Sequence, residues 1–389
     1  MRYDFDRVIE RKGTGSLKWD TVERSTGVAD ALPLWVADMD FRAPDAVLAA
    51  LRARVEHGIF GYAVKTESCY RAIIGWMRRR HGWEIERDWI LFSPGVVPAL
   101  NLAVQAYTQP GDRVVVQTPV YYPFSTAVVN NGRELLRNTL KEEGGTYRMD
   151  LDGLEQSIDE RTRMLIFCSP HNPVGRVWRR DELEGLAAIC ARHRLIVVSD
   201  EIHADLVMKG HVHVPLATVS PAIAPMTVTC TAPNKTFNVA GLQAGNVIIP
   251  NPELRDRFRA VLTSAGLTMA NAFSLAASEA AYDHGEEWLE QLLEYLYGNY
   301  MFLRTFVDQR MPRVKVTQLE GTYLVWLDFR GCGLGDPELK TLILQKAKVW
   351  LDAGPMFGAG GEGFQRINIA CPRSILAQAL ERIAAAIAE

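Results

Sequence analysis

The sequence lacks most of what would tie it to a metal, a membrane or a nucleic acid. Its six cysteines, Cys69, Cys168, Cys190, Cys230, Cys332 and Cys371, are scattered without a C-x-x-C pair. Neither a zinc cage nor a disulfide framework is suggested, and a reducing cytoplasm is the expected location. No apolar run reaches the ~18 residues that a membrane span needs, and the N-terminus is charged from its start. A formal net charge of −3 with no long basic run leaves no electrostatic footprint for nucleic acid or anionic lipid. There is no internal repeat, low-complexity tract or Ser/Gly-rich linker. His211 and His213 alternate as strand neighbours would, with nothing nearby to complete a ligand set, so no metal is expected. No apolar stretch marks an exposed surface for a protein partner.

What is present is an ordinary globular composition, 48% hydrophobic and 23% charged over 389 residues, long enough for two or three domains. Residues 1–34 show no clean periodicity and read as an arm that wraps other elements. Helical patterns follow at 45–57 and 68–81. Short apolar strands then alternate with helices: 89–93, 113–117, 163–168, 195–199, 226–231 and 246–249. Such alternation argues for a mostly parallel sheet covered on both faces, in which ligands bind at the carboxyl ends of strands. Beyond Pro250 helices predominate, including a long one at 288–310. A second strand set follows at 314–318, 323–329, 349–351 and 366–370, with helices at about 336–348 and 374–388.

The polar clusters lie at those strand ends. Ser93-Pro-Gly95-Val96-Val97 is a glycine turn opening a helix, so its backbone N–H groups and the positive end of the helix dipole suit a phosphate. It lacks the three spaced glycines of a dinucleotide fingerprint, which makes NAD a poor candidate. Lys235 follows a short strand and precedes a Gly-bearing segment. Desolvation there lowers an amine's pKa toward the range in which it attacks carbonyls, including the aldehyde of pyridoxal phosphate. Asp200, ending a buried strand, is costly to desolvate without a cation, and a pyridinium N–H is such a partner. Tyr121 offers an aromatic face, while Asn172 and His203 offer hydrogen bonds to a phenolic oxygen. Each has a plainer use, as packing, turn, cap or core histidine. Their succession at consecutive strand ends is what independent accidents explain poorly.

This set, with Asn172-Pro-Val-Gly175 and Asp200-Glu-Ile-His203, resembles the fold-type I pyridoxal-phosphate enzymes of the aminotransferase class I/II superfamily. Trp35-Val-Ala-Asp-Met-Asp-Phe41, Asn234 to Leu242, Glu320 to Phe329 and Gly363 to Pro372 resemble its MalY/PatB-type cystathionine β-lyase branch. The likeness runs from about residue 33 to 373. It implies an α/β fold with an arm at 1–44 joining a small domain at 289–389, and a large cofactor domain at 45–288. It implies pyridoxal phosphate held by Tyr62, Gly95, Val96, Val97, Tyr121, Asn172, Asp200, His203 and Lys235. Lys235 and Asp200 are then the catalytic residues, with Arg366, Asn172 and Ala37 on the substrate. A homodimer is implied too, in which Tyr62 reaches the phosphate of the neighbouring subunit.

Two departures matter. Eight residues past the lysine, aspartate-aminotransferase relatives place a phosphate-binding arginine where this chain has Gln243, and His203 stands where they place a tyrosine. Both favour a lyase. The implied reaction is α,β-elimination: the freed Lys235 amine removes the Cα proton of an amino acid and a sulfur leaves Cβ as a thiolate. The rest becomes pyruvate and ammonia, with L-cystathionine or another cysteine S-conjugate as substrate. The alternatives are an aminotransferase with the same cofactor contacts and, lower, a regulator that binds a protein partner and catalyses secondarily.

Overall fold

The computed structural model describes residues 3–388; Met1 and Arg2 of the arm lie outside them. Seven strands build the large sheet: Ile90–Ser93 (β1), Arg113–Val116 (β2), Glu134–Arg137 (β3), Thr162–Cys168 (β4), Ile196–Asp200 (β5), Thr227–Thr231 (β6) and Gly245–Ile248 (β7). Their order is β1-β7-β6-β5-β4-β2-β3, and only β7 runs against its neighbours. The strands are apolar on both sides because helices cover both faces. The helices that position the site are Asp45–His57 (α1), Glu67–His81 (α2), Val96–Tyr107 (α3), Arg180–Arg192 (α4), Pro252–Ser264 (α5), Ala272–His284 (α6), Glu286–Arg310 (α7) and Arg373–Ala388 (α8). Leu100, Val104 and Phe258 pack one face of the large sheet and Leu183, Leu186 and Cys190 the other.

A second, antiparallel sheet joins Lys315–Val316 (β8), Leu324–Asp328 (β9), Asp352–Ala353 (β10) and Phe364–Asn368 (β11) in the order β8-β9-β11-β10. Leu292 and Leu303 of α7 and Leu376 and Leu380 of α8 share its core. Leu32–Pro33 of the arm pairs in parallel with Val349–Trp350.

Several local expectations change. The run at 349–351 pairs with the arm instead of extending the second sheet, because a partner more than 300 residues upstream supplies its ladder. The helix expected at 336–348 is α-helical only over Asp336–Lys340 and continues as a π-type turn, Thr341–Lys346. The helix after the glycine turn, expected to run from Pro98 to about Tyr107, starts at Val96, since a proline in the first turn removes an N–H that has no intrahelical partner anyway. Strand β3 and the hairpin Lys141–Glu143/Thr146–Arg148 went unread because their charged, edge-type sequences show no apolar run. Residues 211–213 form a loop, with His213 buried against Glu201 at 2.9 Å. The chain also has an exposed apolar stretch that the linear sequence did not reveal: Ile59, Phe60, Tyr62 and Val64 are 67%, 59%, 93% and 77% exposed.

Candidate active site

Four strand ends and one helix start converge on a cavity of about 210 Å³. Ala37, Gly95, Val96, Val97, Tyr121, Asn172, Asp200, His203 and Lys235 all line it. A larger vestibule, about 1200 Å³, adjoins it through Ala37, Lys235 and Ala240 and is walled by the arm, including Arg7 and Arg11.

Lys235 sits on a one-turn helix, Pro233–Thr236, that follows β6 directly. Its Nζ donates to the Ala37 carbonyl at 2.5 Å, and the Tyr323 hydroxyl donates to the same oxygen at 3.0 Å. Burial lowers the amine's pKa to about 8; Asp38 and Asp200 oppose that shift and Arg366 reinforces it. The acceptor carbonyl is itself held in place. Asn238 donates to the Met39 and Phe41 carbonyls, and Asn368 donates to those of Val36 and Asp38.

Asp200 ends β5 with Cys168 and Cys230 as its partners on the neighbouring strands. Both thiols are pushed well above their ordinary range, chiefly by burial and further by Asp200 itself. The carboxyl accepts one hydrogen bond, from the Ile202 N–H at 3.1 Å, and burial raises its pKa to about 7. Lys235 lowers it by charge alone, with no hydrogen bond between the two, and does not offset the desolvation.

Gly95 caps the start of helix α3 and has no side chain to bond its N–H groups. Pro98 has no N–H, so the Val96 and Val97 amides are the donors that this end offers an anion. The loop is tightly backed: a Cβ on Gly245 would lie 3.1 Å from Gly95. Gln243 lines an adjoining space of about 120 Å³ with Ser93, Pro94 and Lys65. Lys65, which sequence reasoning passed over, holds its Nζ 4.4 Å over the Phe92 ring.

His203 is buried, and burial drives its pKa well down, so the ring is neutral. Its Nδ1 and the Asn234 Oδ1 are buried polar atoms without partners. Asn234 and the apolar Ile202 were also missed; adjacency to Lys235 and to Asp200 was the available signal. Asn172 accepts from Arg366 Nη1 at 2.9 Å, so its N–H groups are what it can offer the cavity. Arg366 does not line the cavity. It lies behind Asn172, paired with Asp352 and donating to the Trp35 carbonyl at 2.8 Å, with its Nε unpartnered. Tyr62 is not brought to this site by its own chain.

Pyridoxal phosphate needs an imine-forming amine, an acid for its ring nitrogen, anion donors and a ring face. The cavity supplies each, and the cation-poor Asp200 with the two orphaned polar atoms are where a polar ring would be satisfied. No group of three or more metal-ligating side chains occurs among the described residues.

Known proteins agree with this geometry. The family described as aminotransferase class I and II matches residues 32–383. Cystathionine β-lyase PatB of Bacillus subtilis (strain 168) is 49% identical over 385 residues, covering 99% of this chain and 100% of that one. A PLP-bound putative aminotransferase from Clostridium difficile 630 superposes with a TM-score of 0.98 at 44% identity, over 99% of this chain and 100% of the other. Cystalysin from Treponema denticola, which contains pyridoxal 5′-phosphate, gives 0.97 at 39% over 100% and 99%.

Proposed function

The chain belongs to the aminotransferase class I and II family, and from that premise we propose that it is a pyridoxal-phosphate-dependent carbon–sulfur β-lyase acting on L-cystathionine or related cysteine S-conjugates. The observation that carries the reading is geometric: Lys235 and the buried Asp200 face one cavity together with Asn172, His203 and the start of α3, in a chain 49% identical to cystathionine β-lyase PatB. When bound, the cofactor supplies the electron sink that lets an amino acid's Cα–H bond ionise.

The protein's residues do the rest. Lys235 Nζ would be the amine that holds the cofactor when it is bound, and as a free amine it is the base placed to take the substrate's Cα proton. Its lowered pKa keeps the free amine available near neutral pH. Asp200 would face the ring nitrogen, and a protonated ring nitrogen there would favour the charged form of the carboxylate. Tyr121 and Ile202, which both line the cavity, would cover the faces of a bound ring. The Val96 and Val97 amides hold the phosphate, while His203, with the Asn172 N–H groups, addresses the ring substituents. Arg366, held behind Asn172 by Asp352 and Trp35, has its unpartnered Nε left for a substrate carboxylate, and Ala37 borders the cavity in front of it. The Cβ–S bond would break with its electron pair going to sulfur, and the departing thiolate would take the proton that Lys235 removed from Cα; water then converts the remainder to pyruvate and ammonia.

Gln243 and His203, in place of the arginine and tyrosine of aspartate-aminotransferase relatives, support elimination over transamination. The chain is organised as an arm at 1–44, a large domain at 45–288 and a small one at 289–389. We infer a homodimer, supported by the exposed Ile59, Phe60, Tyr62 and Val64. Tyr62 of each subunit then serves the neighbour's phosphate. Six free cysteines support a cytoplasmic location.

The test is to purify the protein with its cofactor, record the visible band, add L-cystathionine and follow pyruvate. Catalytic release of pyruvate is the expected result. A visible band with keto-acid-dependent amino transfer and no pyruvate would overturn the lyase in favour of the aminotransferase. Absence of any band after reconstitution would overturn the site. Sedimentation as a monomer would overturn the dimer.

A further inference from the structure

A four-residue helix cannot hold its own direction, because helical cooperativity needs many more residues. Lys235 stands on such a helix, so something outside it must fix the amine relative to Asp200. The residue after the lysine, Thr236, is wholly buried, and its hydroxyl donates to Asp205 Oδ2 at 2.7 Å. Asp205 lies five positions after Asp200, in the loop that also carries His203. Its other oxygen, Oδ1, accepts from Trp76 Nε1 at 3.0 Å and His81 Nε2 at 2.8 Å, both on α2. The carboxylate is buried yet held below its usual range, because the His81 and Thr236 hydrogen bonds and the charge of His81 outweigh desolvation. A second contact ties the same corner to the acid: the His81 ring meets the His213 ring edge-on at 5.5 Å, and His213 bonds Glu201, the neighbour of Asp200.

We propose that Asp205 is a positioning residue, a strut that sets the separation of Lys235 from Asp200 by gripping Thr236 from the loop of Asp200 while anchored on α2. It touches neither substrate nor cofactor. It acts on the lysine through one hydroxyl, and that hydroxyl is absent from an isosteric side chain. The inference rests on Lys235 carrying the cofactor.

The holoenzyme variants Thr236→Val and Thr236→Ser test it, with kcat, KM, the pH midpoint of the visible band and Tm as readouts. In Thr236→Val, kcat falls about tenfold while KM stays within about twofold, since small misplacements of a reacting group are costly. The pH midpoint of the band rises by about half a unit or more, because slack in the turn admits water and undoes the desolvation at the lysine nitrogen. Thr236→Ser, which keeps the hydroxyl, returns both to parent values. A lowered Tm with unchanged kcat and midpoint would reduce Asp205 to a fold-holding residue and overturn the proposal, as would a serine variant as impaired as the valine one. Should the valine variant fail to fold, Thr236→Ala deletes the same hydroxyl and is read against the same outcomes. A parent protein with no visible band would sink the role of Lys235 itself, whereas a band indifferent to Thr236 sinks the strut alone.

Discussion

Asp200 and Asp40 are both buried, at 5% and 3% exposure, and their surroundings treat them in opposite ways. Asp40 accepts from Lys18 Nζ at 2.6 Å, Arg11 Nη1 at 2.7 Å and Trp19 Nε1 at 2.9 Å, all from the arm. Desolvation alone would raise its pKa, but Lys18 and the other donors win and hold it below the ordinary range. Asp200 has two thiol neighbours, one backbone N–H and the charge of Lys235 without a hydrogen bond to it, and desolvation wins. Burial costs a carboxylate much the same in both places; the number of donors decides the sign. Where the chain completes its own polar group it builds a scaffold, and where it leaves one incomplete it prepares a place for a ligand.

The largest effect lies on the ligand side: Lys235→Ala should lower pyruvate release by at least about a thousandfold while thermal unfolding stays cooperative, as coupled assay and calorimetry would record. On the scaffold side, Asp40→Ala strips the wholly buried Lys18 of its closest anion and should cost about 3–5 kcal/mol in urea unfolding. A loss under about 1 kcal/mol would erase the contrast.

The two acids also predict opposite pH slopes in the cofactor-free chain. Asp200 binds its proton more tightly folded than unfolded, so its contribution is fully present below about pH 4 and is lost as pH rises toward about 7. The loss amounts to about 2–4 kcal/mol. Asp40, with a lowered pKa, contributes stability above the ordinary carboxylate range that disappears as pH falls through its folded value. Asp200→Asn should therefore flatten the slope between about pH 4 and 7, and cofactor should restore stability at pH 8 in the parent only. Equal slopes in parent and variant would mean that Asp200 is not the unsatisfied group. The smallest effect belongs to Tyr62→Phe, which should weaken cofactor retention about two- to tenfold, in keeping with one lost hydrogen bond. Equilibrium dialysis that finds no change would remove Tyr62 from the phosphate site.

Much of the ligand side was legible because a parallel sheet brings successive strand ends together. Asp200, Asn172, Tyr121 and Lys235 each follow an apolar run, and topology makes them neighbours. The scaffold side was not. Nothing local links Arg11, Lys18 and Trp19 to Asp40, or Thr236 to Asp205 and Trp76, since those pairs are separated by loops whose course depends on packing. The same holds for Tyr62: its neighbours Ile59, Phe60 and Val64 read as an unremarkable loop until their exposure is seen.

By itself, then, the sequence determined which residues could do chemistry and in what order they meet the sheet, because strand periodicity and turn residues are local properties. Tertiary structure alone decided which acids were satisfied. Whether a buried carboxylate is paired depends on donors arriving from distant elements, and that choice separates Asp200, held near neutrality and short of a cation, from Asp40, locked into the frame around it.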